Sequence, residues 1–170
     1  MGVARRRSYG QRMTTTGAAP TTTKAAGLRR WMRIVGGFYL VMGAFNTPPV
    51  IQARFGAQYA ELGLAVDSPA AQALVDVWFM FGLEVAVIGA ALLYFSSDPA
   101  RHLALVWTVL GLELVRGVVD DLYLIARGYD PRIYGLWVLI HLVIIVTGVA
   151  AIRGSRADAG RSSHAARSSR

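Results

Sequence analysis

Apolar residues gather into four long runs, about Trp31 to Asn46, Ala73 to Phe95, Leu103 to Ile125 and Tyr134 to Ile152. A membrane-spanning helix needs about 20 predominantly apolar residues; the last three runs supply them and the first reaches that length with its flanks. None shows the alternation of a barrel strand, and an open strand in lipid would leave its backbone groups unpaired. The pattern predicts an all-α fold, an integral membrane antiparallel four-helix bundle over residues 29–153.

Local signals mark the boundaries. A capping residue followed by proline occurs at Ser68-Pro69, Asp98-Pro99 and Asp130-Pro131, the arrangement expected at helix starts. Pro48-Pro49 stops the first helix, and Gly128 after Arg127 suits the end of the third. The links at 96–98 and 128–130 are then short enough to force antiparallel hairpins. Between Pro48 and Asp67, Val50, Ile51, Phe55, Tyr59 and Leu62 fall on one helical face, which fits either a short helix on the membrane surface or an ordered loop.

Composition agrees with a membrane class: 54% of residues are hydrophobic and 16% charged. The net charge of +8 sits in the tails, so it does not point to nucleic acid. Residues 1–33 hold eight Lys/Arg and five follow the last run, against one, one and two in the successive loops, which puts both termini in the cytoplasm. Residues 1–28 and 154–170 read as disordered basic tails with affinity for anionic lipid. The acid-poor start also resembles a transit peptide, but the lack of a clear cleavage site after the first apolar run favours an uncleaved anchor. The chain has no cysteine, which excludes disulfides and thiolate metal sites. One Lys against many Arg fits a GC-rich bacterial genome.

Gly36 and Gly43 on the first helix, like Gly82 and Gly89 on the second, stand seven residues apart and form small-residue seams. Such seams serve close helix packing, either within the chain, the favoured use, or in a homo-oligomer. Trp31, Tyr94, Tyr129 and Tyr134 fall where interfacial anchors are expected.

Ionisable residues inside the apolar runs carry the candidate chemistry: Asp76 and Glu84, then Glu113, Arg116, Asp120 and Asp121, then His141. In lipid such groups face the bundle interior or a wet cavity. At α-helical spacing Glu113, Arg116 and Asp120 share one face, so Arg116 can pair with either acid. With about 1.5 Å of rise per residue, Glu84 and Glu113 reach matching depth, as do Arg116 and His141, which predicts one polar network running outward from mid-membrane. Either the network neutralises itself and fixes helix register, or its surplus carboxylates carry a proton or cation. Asp121, or Asp120 with it, is expected to reach the outer headgroup region, and His141 to be a satisfied polar contact. His102 and His141 differ in depth by roughly 15 Å, which disfavours a haem held between them. No Glu-x-x-His pair, P-loop, dinucleotide fingerprint or nucleophile elbow occurs, and no cofactor or metal is implied.

The runs WMRIVGGFYLVMGAFNTPPV and GLELVRGVVDDLY resemble the BphX-like proteins, and more loosely the DoxX-like group, of small bacterial membrane proteins. Arg33, Gly36, Tyr39, Gly43, Glu113, Arg116 and Asp120 carry the likeness, which covers about residues 29–153. It implies a four-helix membrane bundle, associated in the BphX-like case with aromatic-compound degradation. The leading expectation is a non-enzymatic accessory or structural protein of the cell membrane with a buried Glu/Arg/Asp network. The alternatives are a small oligomeric proton-linked transporter and, from the DoxX-like resemblance, a quinone- or apolar-ligand-binding redox accessory.

Overall fold

A computed structural model describes the backbone of residues 25–61 and 63–168. The chain forms α1 (Ala25–Phe45), α2 (Pro48–Glu61), α3 (Pro69–Phe95), α4 (Leu103–Leu112), a π-helical segment (Glu113–Val119), α5 (Asp120–Ala126) and α6 (Pro131–Ser168). Among the described residues there is no strand. Helices α3 and α6, the latter over Pro131–Ser155, are each long and apolar enough to cross a membrane. The α1–α2 pair, bent by 72° at its break, makes a third such span if it is taken as one. The third apolar run is not one uniform α-helix: its middle winds with wider i→i+5 bonding.

The helix starts follow their local chemistry with one exception. Ser68 caps α3, its hydroxyl accepting from Ala71 N, and Pro69 occupies the first turn. Asp130 Oδ1 accepts from Arg132 N at 2.8 Å where α6 begins, and Gly128 takes φ +91° just after α5, where a side chain would be strained. Asp98-Pro99 does not open the helix expected of it. Turn hydrogen bonds Arg101 N to Asp98 O and His102 N to Pro99 O carry the chain to Leu103, so the link is residues 96–102 rather than 96–98. Asp98 instead pairs with Arg101 at 3.4 Å.

The expected basic tail over 1–28 lies outside the described residues as far as residue 24. Its last four residues belong to α1, and Leu28 is fully buried. At the other end the backbone of α6 stays helical to Ser168, through the stretch expected to be a tail without regular structure. No proline interrupts it and alanine recurs there, so nothing local ends the helix.

Helix α1 is the hub. A Cβ on Gly36 would lie 2.9 Å from Gly89 O, and one on Gly43 2.9 Å from Gly82 O. The two seams therefore meet each other, and α1 and α3 run in opposite directions at backbone contact. On its other side α1 packs against α6. Trp31 is buried, not an interfacial anchor: its indole N–H donates to Ile144 O and Thr147 Oγ1, both at 3.2 Å. Gly148 makes room for the indole, since a Cβ there would sit 2.8 Å from Trp31 Cζ2. Trp31→Phe should keep most of the packing and lose the N–H, lowering unfolding free energy by about 1 kcal/mol in chemical denaturation of the purified protein. Tyr94 and Tyr129 are exposed, as anchors would be.

The main core joins Leu28, Met32 and Val35 of α1 to Leu92 of α3, Val106 and Val109 of α4, and Ile152 of α6. It fills the end of the molecule where α1 begins and α6 leaves the apolar stretch. Helix α2 folds back on the start of α3, seating Ile51 against Ala71 and Val75 and stacking Phe55 on Trp78 at 5.6 Å. Of the face expected for this segment, Tyr59 and Leu62 lie outside the described side chains.

Candidate functional site

Beyond the dry core, towards the far end of α1, four polar side chains meet. Glu113, at the start of the π segment, is 3% exposed. The Tyr39 hydroxyl from α1 donates to Glu113 Oε1, and His141 Nδ1 from α6 lies 2.6 Å from Oε2. The other ring nitrogen of His141, Nε2, is 3.6 Å from Asp121 Oδ2 on α5. The chain of contacts runs Tyr39, Glu113, His141, Asp121, and ties α1, the π segment, α5 and α6 together. Glu113 has both oxygens engaged, as a buried carboxylate requires. Asp121 Oδ2 is buried and makes no hydrogen bond among the described residues.

The π winding decides which residues take part. Buried positions here are Glu113, Gly117 and Asp121, an i, i+4, i+8 series. In a regular α-helix Arg116 and Asp120 would stay close to the Glu113 face. Wider turns rotate them off it, and both are exposed. Gly117 is required by the same arrangement. A Cβ there would lie 2.7 Å from His141 Cδ2 and closer still to Cγ and Nδ1, so the imidazole occupies the place of a side chain.

Arg116 pairs with neither acid expected of it. Its Nη1 donates to Glu84 Oε1 on α3 at 2.6 Å, with the two side chains 44% and 49% exposed. Phe81 lies under the guanidinium, 4.9 Å from Cζ, and meets Trp78 edge-on. Asp76 and Asp120 are exposed and make no ion pair among the described residues. The single network expected from the sequence is thus two separate sets: a buried one of Tyr39, Glu113, His141 and Asp121, and a half-exposed pair of Glu84 and Arg116. Glu84 and Glu113 are joined by no hydrogen bond.

Spacing alone does not point to two members of the buried set, Tyr39 and Asp121. Tyr39 is a poor candidate by residue type, yet it lies three residues after Gly36 and four before Gly43, on the helix face that the seam buries. α-Helical spacing groups Asp120, not Asp121, with Glu113. Among the described residues no group of three or more His, Asp or Glu is placed to hold a metal ion.

A family model described as BphX-like matches residues 25–157. The chain is 32% identical over 126 residues to an uncharacterised BphX-like protein of Burkholderia cepacia, covering 74% of this chain and 90% of the relative. The same figures hold for an uncharacterised BphX-like protein of Paraburkholderia xenovorans strain LB400. No solved structure matches the chain.

Proposed function

This chain belongs to the BphX-like family, and we propose that it serves as a non-enzymatic accessory or structural protein of the bacterial cell membrane. In this reading α1, α3, the α4–π–α5 unit and α6 cross the bilayer as an antiparallel four-helix bundle. The excess of Lys/Arg before α1 and after Ile152 places both termini in the cytoplasm, where the basic ends contact anionic lipid. The apolar side chains that α6 leaves exposed, Val143 and Val146 among them, face lipid. The observation that carries the reading is the full engagement of Glu113. A carboxylate whose two oxygens are held by Tyr39 and His141, three residues from three elements, is a joint between helices, and Glu113 is only 3% exposed.

One observation favours a second reading, proton-linked transport. The buried Asp121 oxygen ends a chain of proton-bearing groups and has no hydrogen bond of its own. Against it stands the size of a unit with no repeated halves to alternate. Liposomes holding purified protein separate the two. Proton and aromatic-acid uptake at the level of empty vesicles, unchanged by Glu113→Gln, is the expected result. Flux in the wild type that Glu113→Gln abolishes would replace the accessory reading with transport.

A further inference from the structure

We propose that the face of α3 carrying Glu84, with the neighbouring Arg116, is a self-association surface whose occupant is a second copy of this chain. Three observations lead there. Glu84 and Arg116 are about half exposed and, in the four-span reading proposed above on which this inference rests, lie near the middle of their spans, where nothing in lipid can satisfy them. Arg116 uses Nη1 for its one hydrogen bond among the described residues, while a guanidinium offers five N–H donors. The exposed surface of α3 also has a regular seam: Val77, Met80, Glu84 and Val87 follow one another at spacings of three, four and three. This is the period at which one helix packs along another, and a lone polar residue in such a seam sets register and the number of strands.

Charge chooses the occupant. The pair carries both signs side by side, so a two-fold rotation sets Arg116 of each copy towards the Glu84 carboxylate of the other and makes a cluster of alternating sign. Phe81 beneath the guanidinium holds Arg116 facing outward in the single chain, in position for that contact. Both copies insert with the same orientation, so the rotation axis lies along the bilayer normal, and seam residues near it meet their own counterparts. The glycine seam of α1 is not available for this, because α3 of the same chain fills it.

The chain has no cysteine, so single-cysteine variants report one position each. Oxidation in native membranes should give a disulfide-linked homodimer with Met80→Cys and with Val87→Cys. Val146→Cys, equally exposed on α6, should give none above background. In detergent, Arg116→Gln should weaken dimerisation roughly tenfold. The exchange Glu84→Arg with Arg116→Glu, which keeps the pair within the chain, should restore it. Equal cross-linking at 80, 87 and 146 would overturn the proposal. So would monomers at every concentration, or adducts at 80 and 87 only with a different protein.

Discussion

Glu113→Leu should destabilise the protein by about 3 kcal/mol, because it keeps the volume of the side chain and orphans the buried Tyr39 hydroxyl and the half-buried His141 ring at once. The Tyr39 hydroxyl loses its only hydrogen-bond acceptor among the described residues, and His141 Nδ1 loses the partner that fixes the ring. Leaving a buried donor unmade costs about 1–3 kcal/mol, more than the net gain from a satisfied bond. The measurement is reversible unfolding of the purified protein in mixed micelles, read with accumulation in the membrane. The double variant Glu113→Leu with His141→Leu should be less damaged than the sum of the two singles, by about 1–2 kcal/mol. Strictly additive losses would mean that the 2.6 Å contact contributes nothing to folding.

Gly117→Ala should cost a similar amount, about 3 kcal/mol, against the sign that helix propensity alone gives, since alanine is favoured over glycine by about 1 kcal/mol in a helix interior. The added methyl has no space, because the His141 ring lies where it would go. The ring is held by Glu113 on one side and faces Asp121 on the other, so it cannot yield without breaking its contact to Glu113. Background dependence is the diagnostic. In a His141→Ala protein the same substitution should be neutral or mildly stabilising, and the same unfolding assay reads it. A loss of equal size in both backgrounds would place the conflict elsewhere.

Much of the architecture is legible in the sequence because its signals are local. Ser68 and Pro69 write the start of α3 in two adjacent residues, and Gly128 writes the end of α5 in one. The period-seven glycines reveal their seams because backbone contact leaves no other residue type that fits. Asp98-Pro99 shows the limit of such signals: proline fixes its own φ, but a turn satisfies it as well as a helix does, and α4 waits until Leu103. The pairing of the buried charges was the less legible part. Helical spacing gives a face only when the winding is known, and apolar hydropathy is blind to a π segment. One wider stretch exchanged Asp120 for Asp121 and sent Arg116 to Glu84. In the sequence Tyr39 stands out only through the likeness of its segment to the BphX-like proteins.

The π segment bears on how relatives should be aligned. It holds more residues per turn than the helices around it, so its length sets the rotational phase of everything after it. Removing a single residue between Leu114 and Val119 would let ordinary α winding close through the gap: six residues at about 100° each turn nearly as far as seven at the smaller π angle of about 82°, so α5 would keep its phase against α4 to within about 30°. A relative with that deletion would still present the acid aligned with Asp121 to its histidine, whereas a relative of full length wound as uniform α-helix would present the one aligned with Asp120. A one-residue gap in this stretch is therefore compatible with the buried set, and the acid to match across it is the one standing beside the histidine.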